Sequence, residues 1–429
     1  MHVVMTAAHG GYDSERVPLG GGAAVCERLC RLWAGSVRLS LIGSGPTAPE
    51  GVEYVRVAGL GEGIPSQLSE LEYAAFSRRF EEGASERILA MRPRPVVLAH
   101  DISEGPAFAR LARAGVDCVS ILHVDVVDYF QRFYLGDLLP TFWWTWLHRK
   151  SSLLPWPNLL QLVFDKQQQA ADHCRYLVVP SARMKSILEE SYPEMPTGRV
   201  RVIPWGAPVS APTPSEVEAA KERLRLQWEL HPRTPLLATL SRISPEKSQD
   251  ALLRALKIGE ERGEIPPGLT VAIVGAPSYM MGQRFLARLQ GLARSLRRVR
   301  VIFAGHLGGA DKRAALELAS QFVVCSRHES YGLTIMEAMA AGCPIVAVRS
   351  YGVDATVDES CGRVVEAGSD GQLWQAISGL LREPEVGARL GQAALQRASS
   401  EGFEEAARQL LQLLQGSHGR GPHGGQRGF

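Results

Sequence analysis

ESYGLTIMEAMAAGCPIVA, residues 329–347, directly follows the apolar run QFVVCS at 321–326. The run has the length and composition of a buried strand, and the segment behind it changes to a helical pattern. A strand that ends in a loop and then a helix is the repeating unit of a parallel sheet, and ligands gather beyond the carboxyl ends of such strands. The loop amides stand at a helix amino terminus, where they suit a phosphate, and Gly332 lets the backbone come close. Glu329 in the loop and Glu337 in the helix border one site, each a good bidentate acceptor for paired sugar or ribose hydroxyls. The same spacing also fits Glu329 as a helix cap with Glu337 on the surface.

Outward from this segment, short apolar runs alternate with longer amphipathic ones. Strands are predicted at 3–7, 37–42, 52–57, 95–99, 118–122, 176–179 and 200–203, then at 236–240, 270–274, 299–304, 321–325, 344–347 and 362–365. Helical patterns include 23–33, 73–91, 252–262 and 373–381. Between the halves, PWGAPVSAPTPS (204–215) breaks both periods and reads as a linker. The fold class is therefore α/β, with two Rossmann-like doubly wound domains facing a cleft. The domains are 1–208 and 209–400, with a helix at 401–415 that packs back on the first and a glycine-rich tail at 416–429 expected to be disordered.

The chain has 429 residues, enough for two domains of roughly 200 each. It is 45% hydrophobic and 21% charged with a formal net charge of +2, a balance that offers nucleic acid no electrostatic footprint. MHVVMTAAHGGYDSE lacks the flank and apolar core of a signal peptide, and no run of about 18 apolar residues predicts a membrane span. Seven scattered cysteines (Cys26, Cys30, Cys118, Cys174, Cys325, Cys343 and Cys361) without a C-x-x-C pair read as buried thiols in a reducing compartment, with neither a disulfide frame nor a zinc site.

Three further loops carry chemistry. In LSRISPEK (240–247), Arg242 leaves a strand end and Lys247 follows a turn opened by Pro245; two cations there suit a diphosphate, and a solvated charged turn has the same pattern. Gly20, Gly21 and Gly22 open the helix at 23–33 and permit close approach to an anion or sugar, but do not form a dinucleotide fingerprint. His123 follows the strand at 118–122, and His100 with Asp101 follows the one at 95–99. There is no D-x-D, the nearest pattern being Asp125-Val-Val-Asp128, and no phosphate-binding G-x-x-x-x-G-K-[ST] loop. Phosphate charge then falls to Arg, Lys and helix termini, with no metal and no other cofactor.

The combination resembles the retaining glycosyltransferase family four (glycosyl transferases group 1), which has the GT-B fold. ESYGLTIMEAMAAGCPIVA is similar to its E-x7-E element and SRISPEK to its GR-L-x-x-x-K element. ADHCRYLVVPS and RVRVIPWGAPV resemble its passage from first domain to second. The resemblance implies that Arg242 and Lys247 hold the diphosphate of a nucleotide-sugar donor, UDP- or GDP-linked. It implies that Glu329 contacts the transferred sugar and that backbone at Ser330, Tyr331, Gly332, Leu333 and Thr334 meets sugar hydroxyls and phosphate. Glu337 would take the ribose, Leu307 would line the base pocket, and Gly21 and Gly22 would lie near the donor phosphate. His123 would stand by the reacting centre, making His123, Arg242, Lys247 and Glu329 the catalytic set. Gly20, Asp101 and Asp125 are the acceptor-side candidates. Ser241, Ser248 and Tyr331 stand where the family has Gly, Gly and Phe.

The implied enzyme is a retaining, metal-independent hexosyltransferase that uses front-face displacement and closes on its substrates. The acceptor is a saccharide, a lipid-linked hydroxyl or a small solute, in a cytoplasmic protein. TFWWTWLHRK (141–150) and its continuation hold four of the eight tryptophans within 143–156 beside Arg149 and Lys150. Core or lid packing is the expected role, and peripheral contact of Phe142–Trp156 with the inner membrane face is the other reading. A glycoside phosphorylase on the same scaffold and a non-catalytic nucleotide-sugar-binding protein remain alternatives; an epimerase lacks a visible proton-abstracting set.

Overall fold

The computed structural model describes residues 1–13, 17, 19–60, 64, 65, 68, 70–100, 105–134, 139–150, 158–207, 212–278 and 281–416. The chain divides into two units. The first comprises Met1–Asp13, Leu19–Pro204 and the chain from Glu404, and the second is built on Trp205–Phe403.

The first unit holds seven parallel strands: β1 (His2–Thr6), β2 (Arg38–Gly43), β3 (Glu53–Arg56), β4 (Val96–His100), β5 (Asp117–Ile121), β6 (Tyr176–Val179) and β7 (Val200–Val202), in the order β3-β2-β1-β4-β5-β6-β7. The second holds β8 (Leu236–Leu240), β9 (Thr270–Val274), β10 (Arg300–Gly305), β11 (Gln321–Val324), β12 (Ile345–Val348) and β13 (Gly362–Val365), in the order β10-β9-β8-β11-β12-β13. Every predicted strand is present, within a residue or so of its expected ends.

The strands were legible because helices cover both faces of each sheet, so nearly every strand residue is apolar. In β9, Val271 and Ile273 join one core with Leu237, Val323, Val346 and Trp374, while Ala272 and Val274 join another with Val217, Leu224 and Trp228. That alternation is the pleat of a strand buried on both sides. The first unit's core joins Val4, Ile42, Val97 and Ala99 to Phe80 and Phe108 from its helices.

The expected linker begins as ordered structure. Trp205 is buried, with its ring 6.3 Å from that of Phe403. Gly206 has φ +67, and a Cβ there would lie 2.4 Å from the Glu401 carbonyl oxygen. Ala207 N–H donates to that carbonyl at 2.7 Å, and Phe403 N–H donates to the Ala207 carbonyl at 3.0 Å. Residues 208–211 lie outside the described residues, and Thr213 then caps the helix Pro214–Gln227 through a reciprocal bond with Glu216. The expected tail is described only at Gly416.

In each sheet the strand order reverses once, between β1 and β4 and between β8 and β11. At the second reversal the backbone is unusually close. Gly275, just after β9, has φ +141, and a Cβ there would stand 1.8 Å from the Ser241 carbonyl oxygen. No side chain fits. Gly275→Ala is expected to displace Ser241–Arg242 and to cost the second unit about 4 kcal/mol or more, read as a lowered urea midpoint for its unfolding; an unchanged midpoint would refute this reading of the turn.

Candidate active site

Two loops flank the β8/β11 reversal. After β8, Ser241 N–H donates to Val274 O at 3.1 Å and Ile243 N–H to Ala276 O at 2.9 Å, which fixes the strand exit. A 3-10 turn, Pro245–Lys247, leads into the helix Gln249–Glu261. Gln249 Nε2 donates to Ser241 Oγ and to the Arg242 carbonyl, both at 2.8 Å, so Ser241 supplies an acceptor where the resemblance expects glycine. Ser248 has φ +48, a left-handed conformation that glycine takes without cost; its hydroxyl donates to Pro245 O at 3.1 Å.

This scaffold aims Lys247 across the reversal. Its Nζ is 2.8 Å from Glu329 Oε2, with the two side chains 14% and 16% exposed. Burial pushes the Glu329 carboxyl up, but the charge and hydrogen bond of Lys247, with His328 and Ser326, pull it below the usual range. Glu329 is therefore ionised at neutral pH. Arg242 Nη2 lies 3.6 Å from Glu246 Oε1, and Glu246 accepts Ser244 Oγ at 2.6 Å.

On the β11 side, Gly332 has φ +90 and precedes the helix Leu333–Ala340. Its carbonyl accepts the amides of Ile335 and Met336, so the helix leaves the amides of Leu333 and Thr334 outside its own ladder. Glu337 lies in that helix, nearly buried, with Oε1 3.2 Å from Lys312 Nζ. Lys312 is a third cation that sequence reasoning missed; its only signal is its place in the first turn of Gly309–Leu318, after the Gly305–Leu307 loop. Gly352 was missed as well: a Cβ there would lie 2.3 Å from the Glu329 carbonyl oxygen. Leu307 is half-buried and packs on the Val217 cluster.

Tyr331 was expected to contribute its backbone, and the structure gives its side chain a separate use. Its hydroxyl accepts Gly206 N–H at 2.9 Å, and burial lifts its pKa to about 12. The side chain thus braces the chain crossing, leaving only its backbone for a ligand. The hydroxyl that phenylalanine lacks has a structural use.

In the first unit, His123 Nε2 and His100 Nδ1 are 3.2 Å apart with rings stacked at 5.4 Å, and His9 meets His100 edge-on at 6.4 Å. Burial, then His9, lowers His123 to about 3, and burial holds His100 well below its ordinary value. His123 is therefore a neutral imidazole, able to orient a hydroxyl but carrying no charge near pH 7. A Cβ on Gly22 would lie 3.0 Å from His123 Cδ2, so that glycine seats the helix Gly21–Trp33 against the imidazole; Gly20 precedes it at φ +93.

Asp101 lies outside the described residues. Asp125 corrects an expectation: it is fully buried and caps the helix Val126–Tyr134. Its Oδ1 accepts Asp128 N–H and Gln167 Nε2, both at 3.0 Å. It does not face an acceptor. Burial, then Asp128, raises its pKa to about 7.

The tryptophan segment divides. On the helix Thr141–Lys150, Thr141 donates to Asp128 Oδ1 at 2.7 Å and Trp144 packs toward the core. Phe142, Trp143 and Trp146 are 36%, 46% and 46% exposed, with the Trp143 ring 5.1 Å from Phe142 and 5.8 Å from Trp146. Core packing therefore fails for these three, and residues 151–157 lie outside the described residues. No described helix is long and apolar enough to cross a membrane.

Residues 220–397 match the family model of glycosyl transferases group 1. A D-inositol 3-phosphate glycosyltransferase 2 of Catenulispora acidiphila is 32% identical over 248 residues, 56% of each chain. The chain thus spans about half the length of the curated relatives it matches. Sucrose-phosphate synthase from Thermosynechococcus elongatus superposes with TM-score 0.73 at 19% identity, covering 97% of this chain and 98% of that one. Anabaena HepE, solved in complex with UDP-glucose, gives 0.68 at 17%, covering 97% and 100%. The similarity to glycosyl transferases group 1 thus lies in residues 220–397, and the fold is GT-B.

Asp125 yields a pH prediction. A carboxyl raised from 3.8 to about 7 binds its proton more tightly when folded, so its contribution is full below pH 4 and lost as pH rises toward 7. Asp125→Asn keeps the cap but cannot ionise. Its stability relative to the parent chain should rise between pH 4 and 7, by at most about 1.4 kcal/mol per pH unit. A difference independent of pH in denaturation would show that Asp125 does not titrate in this window.

Proposed function

We propose that this protein transfers a hexosyl group from a nucleoside-diphosphate sugar, UDP-linked by preference, to a hydroxyl acceptor with retention of configuration. The observation that carries the proposal is the Lys247–Glu329 pair, set beside Arg242 at the β8/β11 reversal. Lys247 and Arg242 exchange their carboxylate partners for the donor diphosphate, and the amides at Leu333 and Thr334 complete the phosphate cradle. Glu329, released, accepts hydroxyl hydrogens of the sugar, while Glu337, steadied by Lys312, takes the ribose hydroxyls.

Bond cleavage leaves negative charge on the nucleotide's terminal phosphate, where preorganised cations contribute most. Glu329, once released by Lys247, is occupied by sugar hydroxyls, so it serves as a hydroxyl acceptor and not as a nucleophile. Front-face displacement follows: the departing phosphate oxygen takes the acceptor's proton as the new glycosidic bond forms. We assign no metal to the diphosphate, since three cations already serve this loop cluster. His123, neutral and fixed by His100, can orient a hydroxyl bound at the first unit.

HepE was solved with UDP-glucose, and the Catenulispora relative is named for a phosphorylated inositol. These favour a UDP-sugar and a polyol or saccharide acceptor. The exposed Phe142, Trp143 and Trp146 next to Lys150 favour work at an anionic membrane surface, in the cytoplasm, on a lipid-linked variant of that acceptor. A phosphorylase would employ the same cations for inorganic phosphate and is the second reading.

The test supplies UDP- and GDP-sugars with inositol phosphates, saccharides and lipid-linked glycans in the presence of a chelator, and measures nucleoside-diphosphate release. Release dependent on acceptor is expected, with kcat/KM reduced about 100-fold or more in Arg242→Ala. Sugar-phosphate release that requires inorganic phosphate, with no nucleotide release, would replace the transferase by a phosphorylase.

A further inference from the structure

The first sheet's order reversal gathers a second set of reactive side chains. His9 lies in the loop after β1, His100 ends β4, and Cys26 lies on the helix Gly21–Trp33. One donor atom from each falls within 4.8 Å of the other two. Three elements far apart in sequence thus converge on one point, which no local spacing such as C-x-x-C announces. His100 has no exposed surface; its Nδ1 faces His123, and its Nε2 is buried without a hydrogen-bond partner. A buried nitrogen lone pair left bare is costly, and a cation satisfies it directly. Cys26 is 2% exposed, so its sulfur also points into protein.

We propose that His9, Cys26 and His100 form a binding site for a divalent d-block cation, with Zn2+ the best match. Two imidazoles and a thiolate are the ligand set such ions prefer over Mg2+ or Ca2+, which take oxygen. Ligand bonds of 2.0–2.3 Å in a tetrahedron place donor atoms roughly 3.5 Å apart, so the set must close by about an ångström, within reach of side-chain rotation. Binding removes the Cys26 thiol proton to solvent and forms one metal–sulfur bond, with no change of oxidation state. Three protein ligands leave the fourth position to water or another small oxygen ligand.

The consequence reaches His123. A cation on His100 Nε2 confines that ring's proton to Nδ1, which then donates to His123 Nε2. The neutral pair becomes a single tautomer with a fixed ring orientation. The expectation of a metal-free protein from scattered cysteines is thereby revised for the first unit, while the diphosphate site in the second is untouched. The assignment does not rest on the transferase reading, and its test does not use turnover.

Chelator-treated, reduced full-length protein is titrated with Co2+ and followed by absorbance. We expect one equivalent to bind, with a thiolate-to-cobalt charge-transfer band and the visible bands of a four-coordinate ion, both removed by one equivalent of Zn2+. Cys26→Ser should abolish the charge-transfer band, and His100→Ala should weaken Co2+ binding at least tenfold with an unchanged circular-dichroism spectrum. Absence of the band in the parent chain overturns the proposal whatever the variants do. A band that persists undiminished in folded Cys26→Ser also overturns it, since one of the other six thiols would then be the ligand.

Discussion

A parallel sheet covered on both faces buries its whole length, and only the carboxyl ends of its strands are left to do chemistry. Where strand order reverses, the connections from the two central strands leave toward opposite faces and their loops part. Both units of this protein obey that constraint. At the β8/β11 reversal it exposes the turn with Arg242 and Lys247 beside the loop with Glu329 and Gly332; at the β1/β4 reversal it gathers His9, His100 and Cys26. The rest of the fold serves these two places. Gly275 and Gly352 let backbones approach where a Cβ would collide, and Gln249 braces the turn from the following helix.

Charge at the second reversal is arranged in pairs: Arg242 with Glu246, Lys247 with Glu329, and Lys312 with Glu337. A buried pair gains little net stability, because desolvation offsets most of the attraction, whereas deleting one partner costs about 3–5 kcal/mol. Such pairs are poor as glue. They are well suited to holding cations in a low-dielectric site until a phosphate of equal charge displaces the carboxylate. In the proposed reaction the released carboxylates then accept sugar hydroxyls, so one exchange would prepare both halves of a sugar-diphosphate site.

Much of this was legible in the sequence. The thirteen strands stood out because burial on both faces makes them short, nearly unbroken apolar runs, and the chemistry-bearing loops followed from where those runs end. What stayed hidden depends on contacts between distant segments. The use of the Tyr331 hydroxyl shows only when it is seen on Gly206, and the strain at Ser248, where the resemblance expects glycine, shows only in its left-handed backbone. Lys312 carries no motif and gains meaning only from Glu337. Asp125 sits at a strand exit, as a ligand group should, but Gln167 and the helix it caps enclose it. For the tryptophans, composition could not say which face of Thr141–Lys150 meets the core, and the threonines decide it.

The central claim is that Lys247 is held by Glu329 until a diphosphate takes it. Calorimetric titration of UDP and GDP into the parent chain, Lys247→Met and Glu329→Gln tests it most directly. The account predicts that Lys247→Met weakens nucleoside-diphosphate binding at least tenfold, while Glu329→Gln leaves it equal or tighter because the competing carboxylate charge is gone. Unchanged binding in Lys247→Met, with the parent chain binding normally, would contradict the account.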